Sequence, residues 1–114
     1  MTPQLRADRI ETRRQLAALA RHHKWTTTEP DPGRWWVLLE LWHPWHHVRI
    51  NIRWADDQCT MRTDYEPAPH RIATWHTRNI TAADIAWLIG NADQVATIAD
   101  AGNPTPAIDL RETA

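Results

Sequence analysis

"RWWVLLELWHPWHHVRINIRW", residues 34–54, is the stretch on which the fold turns. Its last eight residues alternate without a break. Val48, Ile50, Ile52 and Trp54 share one parity, and His47, Arg49, Asn51 and Arg53 share the other. Side chains two apart lie on the same face of a strand, so this segment predicts a strand with one apolar and one polar face. Residues 34–42 are short, apolar and aromatic, and predict a second strand. Pro44 cannot take the positive φ that a two-residue hairpin loop requires at its first position. A four-residue loop, His43–His46, places Pro44 at the second position of a type I turn, where its φ fits.

That loop implies a register. Trp42 faces His47, Leu41 faces Val48, Leu39 faces Ile50, Val37 faces Ile52 and Trp35 faces Trp54, so the pairs from Leu41–Val48 onward form an apolar face. On the opposite face Glu40 meets Arg49 and Trp36 meets Arg53, a charge pair and a cation–π pair. "QCTMRTDYE", residues 58–66, follows a short "ADDQ" loop and predicts a third strand, with Cys59, Met61, Thr63 and Tyr65 facing inward. Setting Trp54 against Cys59 brings Arg49 beside Asp64 and His47 beside Glu66. A polar row Glu40–Arg49–Asp64 is then expected across three strands. Residues 67–79 predict a connector with room for a fourth short strand at 71–76.

Helical signals flank this meander. Residues 3–24 lack internal glycine and are rich in helix formers, with Thr2 as N-cap and Pro3 in the first turn. Leu5, Thr12, Leu16, Leu19 and His23 fall near one stripe, weak in its first half, with Arg6, Arg9, Arg13 and Arg14 mostly off it. "TTTEPDPG", residues 26–33, predicts a turn cluster. Thr81 and Asp84 form a capping box with Asp in place of Glu, ahead of Ile85, Leu88, Ile89, Ala92, Val95 and Ala99 at helical spacing. Gly90-Asn91 predicts a break into two short helices, and Gly102 a stop. The expected architecture is α+β: one small domain, residues 1–102, ordered helix, three-stranded antiparallel meander, helix, with the helices on one face of the sheet. Residues 103–114 are expected to be a flexible tail unless Ile108 and Leu110 dock.

At 114 residues the chain has room for one core and too little for two ordinary domains. With 42% hydrophobic and 24% charged residues it reads as globular. A single cysteine, Cys59, rules out an internal disulfide and fits a reducing compartment. Neither a membrane-spanning apolar run nor a signal-peptide core is visible, so a cytoplasmic location is expected. Eight tryptophans, no phenylalanine and one lysine, Lys24, suggest a GC-rich genome of the actinobacterial kind or that of a phage infecting it. A phage-encoded modulator of a host protein is one setting that fits.

For function, three chemistries compete. His43, His46 and His47 cluster, and His22, His23, His70 or His76 could complete a zinc site. No ligand spacing supports one, so neither metal nor cofactor is expected. No nucleophile motif or glycine-rich phosphate loop is present, and an enzyme is not expected. The order α-β-β-β-α is similar to that of double-stranded-RNA-binding domains. The lysine-rich start expected at their second helix is replaced here by "NITAADIAW", so that family is not assigned. Arg6, Arg9, Arg13, Arg14 and Arg21 carry the alternative of nucleic-acid binding, against a net charge of −1. The favoured reading is a non-enzymatic protein-binding domain that uses Trp36, Leu38, Trp42 and Trp45. A homodimer is the simplest case, because a two-fold axis needs only one patch.

Overall fold

The computed structural model describes residues 1–56, 58–68, 71–78 and 80–100, with backbone alone for 67–68, 71–78 and 98–100. Helix α1 (Pro3–His22) is followed by strands β1 (Thr26–Thr28), β2 (Val37–His43), β3 (Val48–Trp54), β4 (Cys59–Ala68) and β5 (Arg71–Arg78), then helices α2 (Ala82–Gly90) and α3 (Ala92–Asp100). The strands form one antiparallel sheet in chain order. The α+β class and the meander are as expected, and the sheet is wider. A four-stranded body is extended on one side by the three-residue edge strand β1. The expected connector is β5, and residues 101–114 lie outside the described residues.

Helix α1 begins as its first residues dictate. The Thr2 hydroxyl accepts from the Leu5 N–H at 3.2 Å, and Pro3 occupies a first-turn position where no backbone donor is needed. The helix ends earlier than the turn cluster suggested. Lys24 takes φ 71, and the Trp25 and Lys24 N–H groups return to the carbonyls of Ala20 and Arg21 at 2.9 and 3.2 Å. This is a Schellman closure with lysine in the position that usually holds glycine. The chain leaves it directly into β1, so Thr26–Thr28, expected as turn, pair instead with Trp42, Leu41 and Glu40.

The β2–β3 hairpin keeps its faces and changes its register. His43 faces Val48, Leu41 faces Ile50, Leu39 faces Ile52 and Val37 faces Trp54. The loop is Pro44–His47, one residue later than expected. It closes because His47 adopts φ 55 and donates its N–H to the His43 carbonyl at 2.9 Å. Histidine is among the few residues enriched at positive φ, but nothing in the sequence flags it there. A shift of one residue per strand preserves parity in the paired sum, so the apolar face survives while its cross-strand partners change. Glu40 therefore meets Asn51, not Arg49. Arg49 meets Trp42, Leu38 meets Arg53, and Trp35 and Trp36 precede the strand. On β4 the expected partners hold, with Trp54 against Cys59 and Arg49 against Asp64.

All three helices and the inward face of the sheet share one core. Val37, Leu39, Leu41, Val48, Ile50, Ile52, Trp54, Cys59 and Met61 are buried with Leu16, Ala17, Ala20, Trp25, Ile85, Leu88, Ile89 and Val95. The Thr81–Asp84 capping box is formed in both directions. The break falls at Asn91, whose side-chain amide donates to the Trp87 carbonyl at 2.7 Å.

The stripe on α1 departs from expectation in one respect: Arg13 points inward and is 9% exposed. Its Nη1 donates to the Pro30 carbonyl at 2.8 Å and reaches the Leu38 carbonyl at 3.4 Å. Extending the β1–β2 register by two residues would place Pro30 opposite Leu38, and a proline nitrogen has no hydrogen to give. The guanidinium supplies the donor where the ladder stops. Arg6 donates to the Pro32 carbonyl at 3.2 Å and Arg21 to the Thr27 hydroxyl at 2.9 Å, so α1 is tied to the 27–38 segment along its length. Its first half is docked rather than a solvated arm.

Two outcomes follow from this packing. Ile50→Ala or Ile52→Ala is expected to cost about 2–5 kcal/mol, and Asn51→Ala much less, in denaturant unfolding. Arg13→Met removes the donor while keeping most of the apolar stem. It is expected to cost about 1–3 kcal/mol for the orphaned carbonyl, whereas Arg14→Met on the exposed side stays within about 0.5 kcal/mol.

Candidate interaction surface

The face of the sheet turned away from the helices carries Leu38, Glu40 and Trp42 from β2, Arg49, Asn51 and Arg53 from β3, and Thr60, Arg62 and Asp64 from β4. Trp42 is half-buried. The Arg49 guanidinium lies over its ring, 5.3 Å from the centroid, and the His47 ring stands edge-on at 5.9 Å. The cation–π pair expected at Trp36 and Arg53 is thus made by Trp42 and Arg49. Beside it Thr26, Thr28, Glu40, Trp42, Arg49 and Asn51 surround a shallow, half-open depression of about 540 Å³. Of the expected polar row, the Arg49–Asp64 pairing remains and Glu40 lies outside it. Asp64 also accepts from Arg62 Nε at 3.1 Å.

Four residues were expected to form the interface, and their placement differs. Leu38 and Trp42 lie on the outward face of β2, both partly covered. Trp36, just before the strand, is 40% exposed, and its indole packs so closely on Gly33 that a side chain there would collide with it. Trp45, at the hairpin tip, is at 70% the most exposed large apolar side chain among the described residues. Trp35, expected inside against Trp54, is 53% exposed with the Arg34 guanidinium 5.0 Å from its ring centroid. Two exposed indoles therefore sit at one end of β2 and one at the other, separated by a seven-residue strand roughly 23 Å long.

Four of the five α1 arginines are engaged within the chain. Arg13 is buried, and Arg6 and Arg21 make the bonds to the 27–38 segment described above. Arg14 forms a two-bond fork with the Glu11 carboxylate at 2.6 and 2.9 Å. Arg9 has its Nε buried with no hydrogen-bond partner among the described residues.

The histidines divide by environment. The His43 ring is inside, with its carbonyl neighbours and two tryptophans around it. The His46 ring lies 4.8 Å from it, and His47 turns to the opposite side, toward Trp42. His22 and His23 contact each other edge-on at 5.3 Å at the end of α1. His70 and the side chain of His76 lie outside the described residues. Among the described residues no three histidine, cysteine or acidic groups come together in a way that could hold a metal ion. The Cys59 thiol is buried against the core, which pushes its pKa up to about 11 and leaves it a poor nucleophile.

Trp25, which falls between the expected helix and the expected turn cluster and carries no expected role, is 3% exposed and donates its Nε1–H to the Ile89 carbonyl at 2.8 Å. A tryptophan straight after a helix and before a run of threonines was the available signal. No helix among the described residues is long and apolar enough to cross a membrane. Compared with known protein families, with curated proteins and with solved structures, the chain matches none.

Proposed function

We propose that the chain is a non-enzymatic protein-binding domain, and that its outward sheet face along β2 meets a second copy of itself. The observation that carries this reading is Leu38 and Trp42, partly covered on the outward face of β2, with the exposed indoles of Trp35 and Trp36 just before the strand and of Trp45 at the hairpin tip. Residues 71–78, in one of the two segments that could have folded over this face, pair as β5 on the far side of β4, three strands away from β2, and the other, the C-terminal tail, lies outside the described residues. Tryptophan and arginine are the residues most often found anchoring protein interfaces.

Charge supports self-association. Across β2, β3 and β4 the outward positions hold Arg49, Arg53 and Arg62 against Glu40, Asp64 and Glu66. Three of each sign make a face that can meet its own two-fold copy without net repulsion. A polyphosphate partner would find no such balance in its favour.

Burying a large apolar side chain contributes roughly 1.5–3 kcal/mol, so the Trp36, Leu38 and Trp42 group suffices to drive association if the copies fit. The expected outcome is that wild-type protein runs as a dimer in light scattering. Trp36→Glu combined with Trp42→Glu is expected to give a folded monomer with an unchanged circular dichroism spectrum. A monomeric wild type whose double mutant unfolds would show the stripe to be internal core. Co-purifying nucleic acid, read as a raised 260/280 nm absorbance ratio and lost with salt, would favour the nucleic-acid alternative.

A further inference from the structure

We infer that the β2–β3 hairpin tip is a proton-operated latch: uptake of one proton by His43 releases the Pro44–His47 turn and frees Trp45. The inference rests on how the turn is closed. His43 Nδ1 accepts from the backbone N–H groups of both Trp45 and His46, at 3.3 and 3.2 Å. Both are donors, so this nitrogen must present a lone pair. A protonated imidazole carries hydrogens on both nitrogens and has no lone pair to present. The two Nδ1 bonds and the charged ring are therefore mutually exclusive, and a protonated His43 leaves the turn only the His47 N–H to His43 carbonyl bond to hold it.

The ring has nowhere else to go. It is 4% exposed. Trp25 stands edge-on to it at 5.0 Å, and Trp45 does so at 5.9 Å. The His23 backbone at the end of α1 is the one hydrogen-bonding influence that favours a proton on the ring. A cation formed here loses hydration without gaining a carboxylate. Among the described titratable groups His46 of the turn bears on it, 4.8 Å away ring to ring, while His47 faces Trp42 on the other side and the α1 terminus bears on it through the His23 backbone. α2 contributes its Ile89 carbonyl through Trp25. Glu66, whose N–H bonds the His47 carbonyl at 3.3 Å, is the acid nearest the turn in the ladder.

Burial holds His43 below the ordinary histidine range, the neighbouring His46 pushes in the same direction, and the His23 carbonyl opposes both. A histidine depressed in the closed state binds fewer protons closed than open. Closure is then fully stabilised above about pH 6.5 and weakens as pH falls from there toward the lowered value of His43. Whether or not the sheet face is an interface, the element that moves is the one holding the most exposed indole among the described residues.

The test follows backbone amides and imidazole nitrogens by NMR from about pH 7.5 to about pH 4.5, across the ordinary histidine range. At the upper end the nitrogen shifts of His43 should show Nδ1 bare and Nε2 protonated. Below about pH 6.5, amide exchange at Trp45 and His46, taken relative to the intrinsic rate of an open amide at each pH, should accelerate on the order of tenfold and follow the His43 titration. Exchange at Ile50 and Ile52 should stay slow. His43→Gln keeps an acceptor and a donor but does not titrate, and its turn amides should show no such acceleration. His46→Asn and His47→Asn should retain it. Turn amides that stay protected while His43 takes up its proton would overturn the latch, and so would the same acceleration in His43→Gln. If that variant does not fold, the wild type decides alone. A His43 protonated on Nδ1 at neutral pH, or one whose titration midpoint differs from that of the turn amides, is equally fatal.

Discussion

The junction of Trp25 with His43 is the contact on which the rest of the molecule depends. Trp25 leaves the Schellman closure of α1 and crosses the core to the Ile89 carbonyl, so it ties the first helix to the second. Edge-on against it, His43 ends β2, organises the turn into β3 and reaches back to His23. One aromatic pair thus joins the end of α1, the central hairpin and α2. None of these bonds is strong alone, and a typical intramolecular hydrogen bond contributes about 1 kcal/mol net. Their value lies in leaving no buried polar atom of the junction without a partner, where omission would cost more than formation gains.

This placement explains which parts of the fold were legible in the sequence. The inward face could be read because Val48, Ile50, Ile52 and Trp54 alternate strictly, and any register error that preserves parity preserves the face. The helix starts could be read because Thr2-Pro3 and Thr81 with Asp84 act locally, through bonds spanning three residues. The hairpin register could not. It rests on a histidine at positive φ and on another whose side chain accepts from the turn's N–H groups, and both residues look like surface polar groups in isolation. Arg13 was illegible for a related reason. Its partners are backbone carbonyls, which every sequence contains and none advertises.

The candidate surface was legible in part for the same reasons. Leu38 and Trp42 fall on the outward face by parity, and Trp45 is exposed because it rides on the tip. Trp35 was misplaced because the strand was begun three residues too early. Pro30 and Pro32 have no N–H to give a ladder, and Trp36 closes over Gly33 before the strand begins at Val37. The arginines of α1 show the converse error. Their number invited a reading as a cationic stripe, while tertiary structure uses most of them to hold that irregular segment in place.

The Arg13 clamp has a consequence for how the chain behaves in a crowded solution. β1 covers the far half of β2, but at Val37–Leu39 the strand has no neighbour on that side. An open edge made of valine and leucine is a template for another chain to add to, the first step of edge-to-edge aggregation. Pro30 cannot extend the ladder, and the guanidinium of Arg13 occupies the Leu38 carbonyl that an incoming strand would need. A charge placed at such an edge acts as a gatekeeper. The residue that completes the hydrogen bonding of the native chain therefore also keeps that chain from recruiting others, and colloidal solubility and folding stability meet in a single side chain.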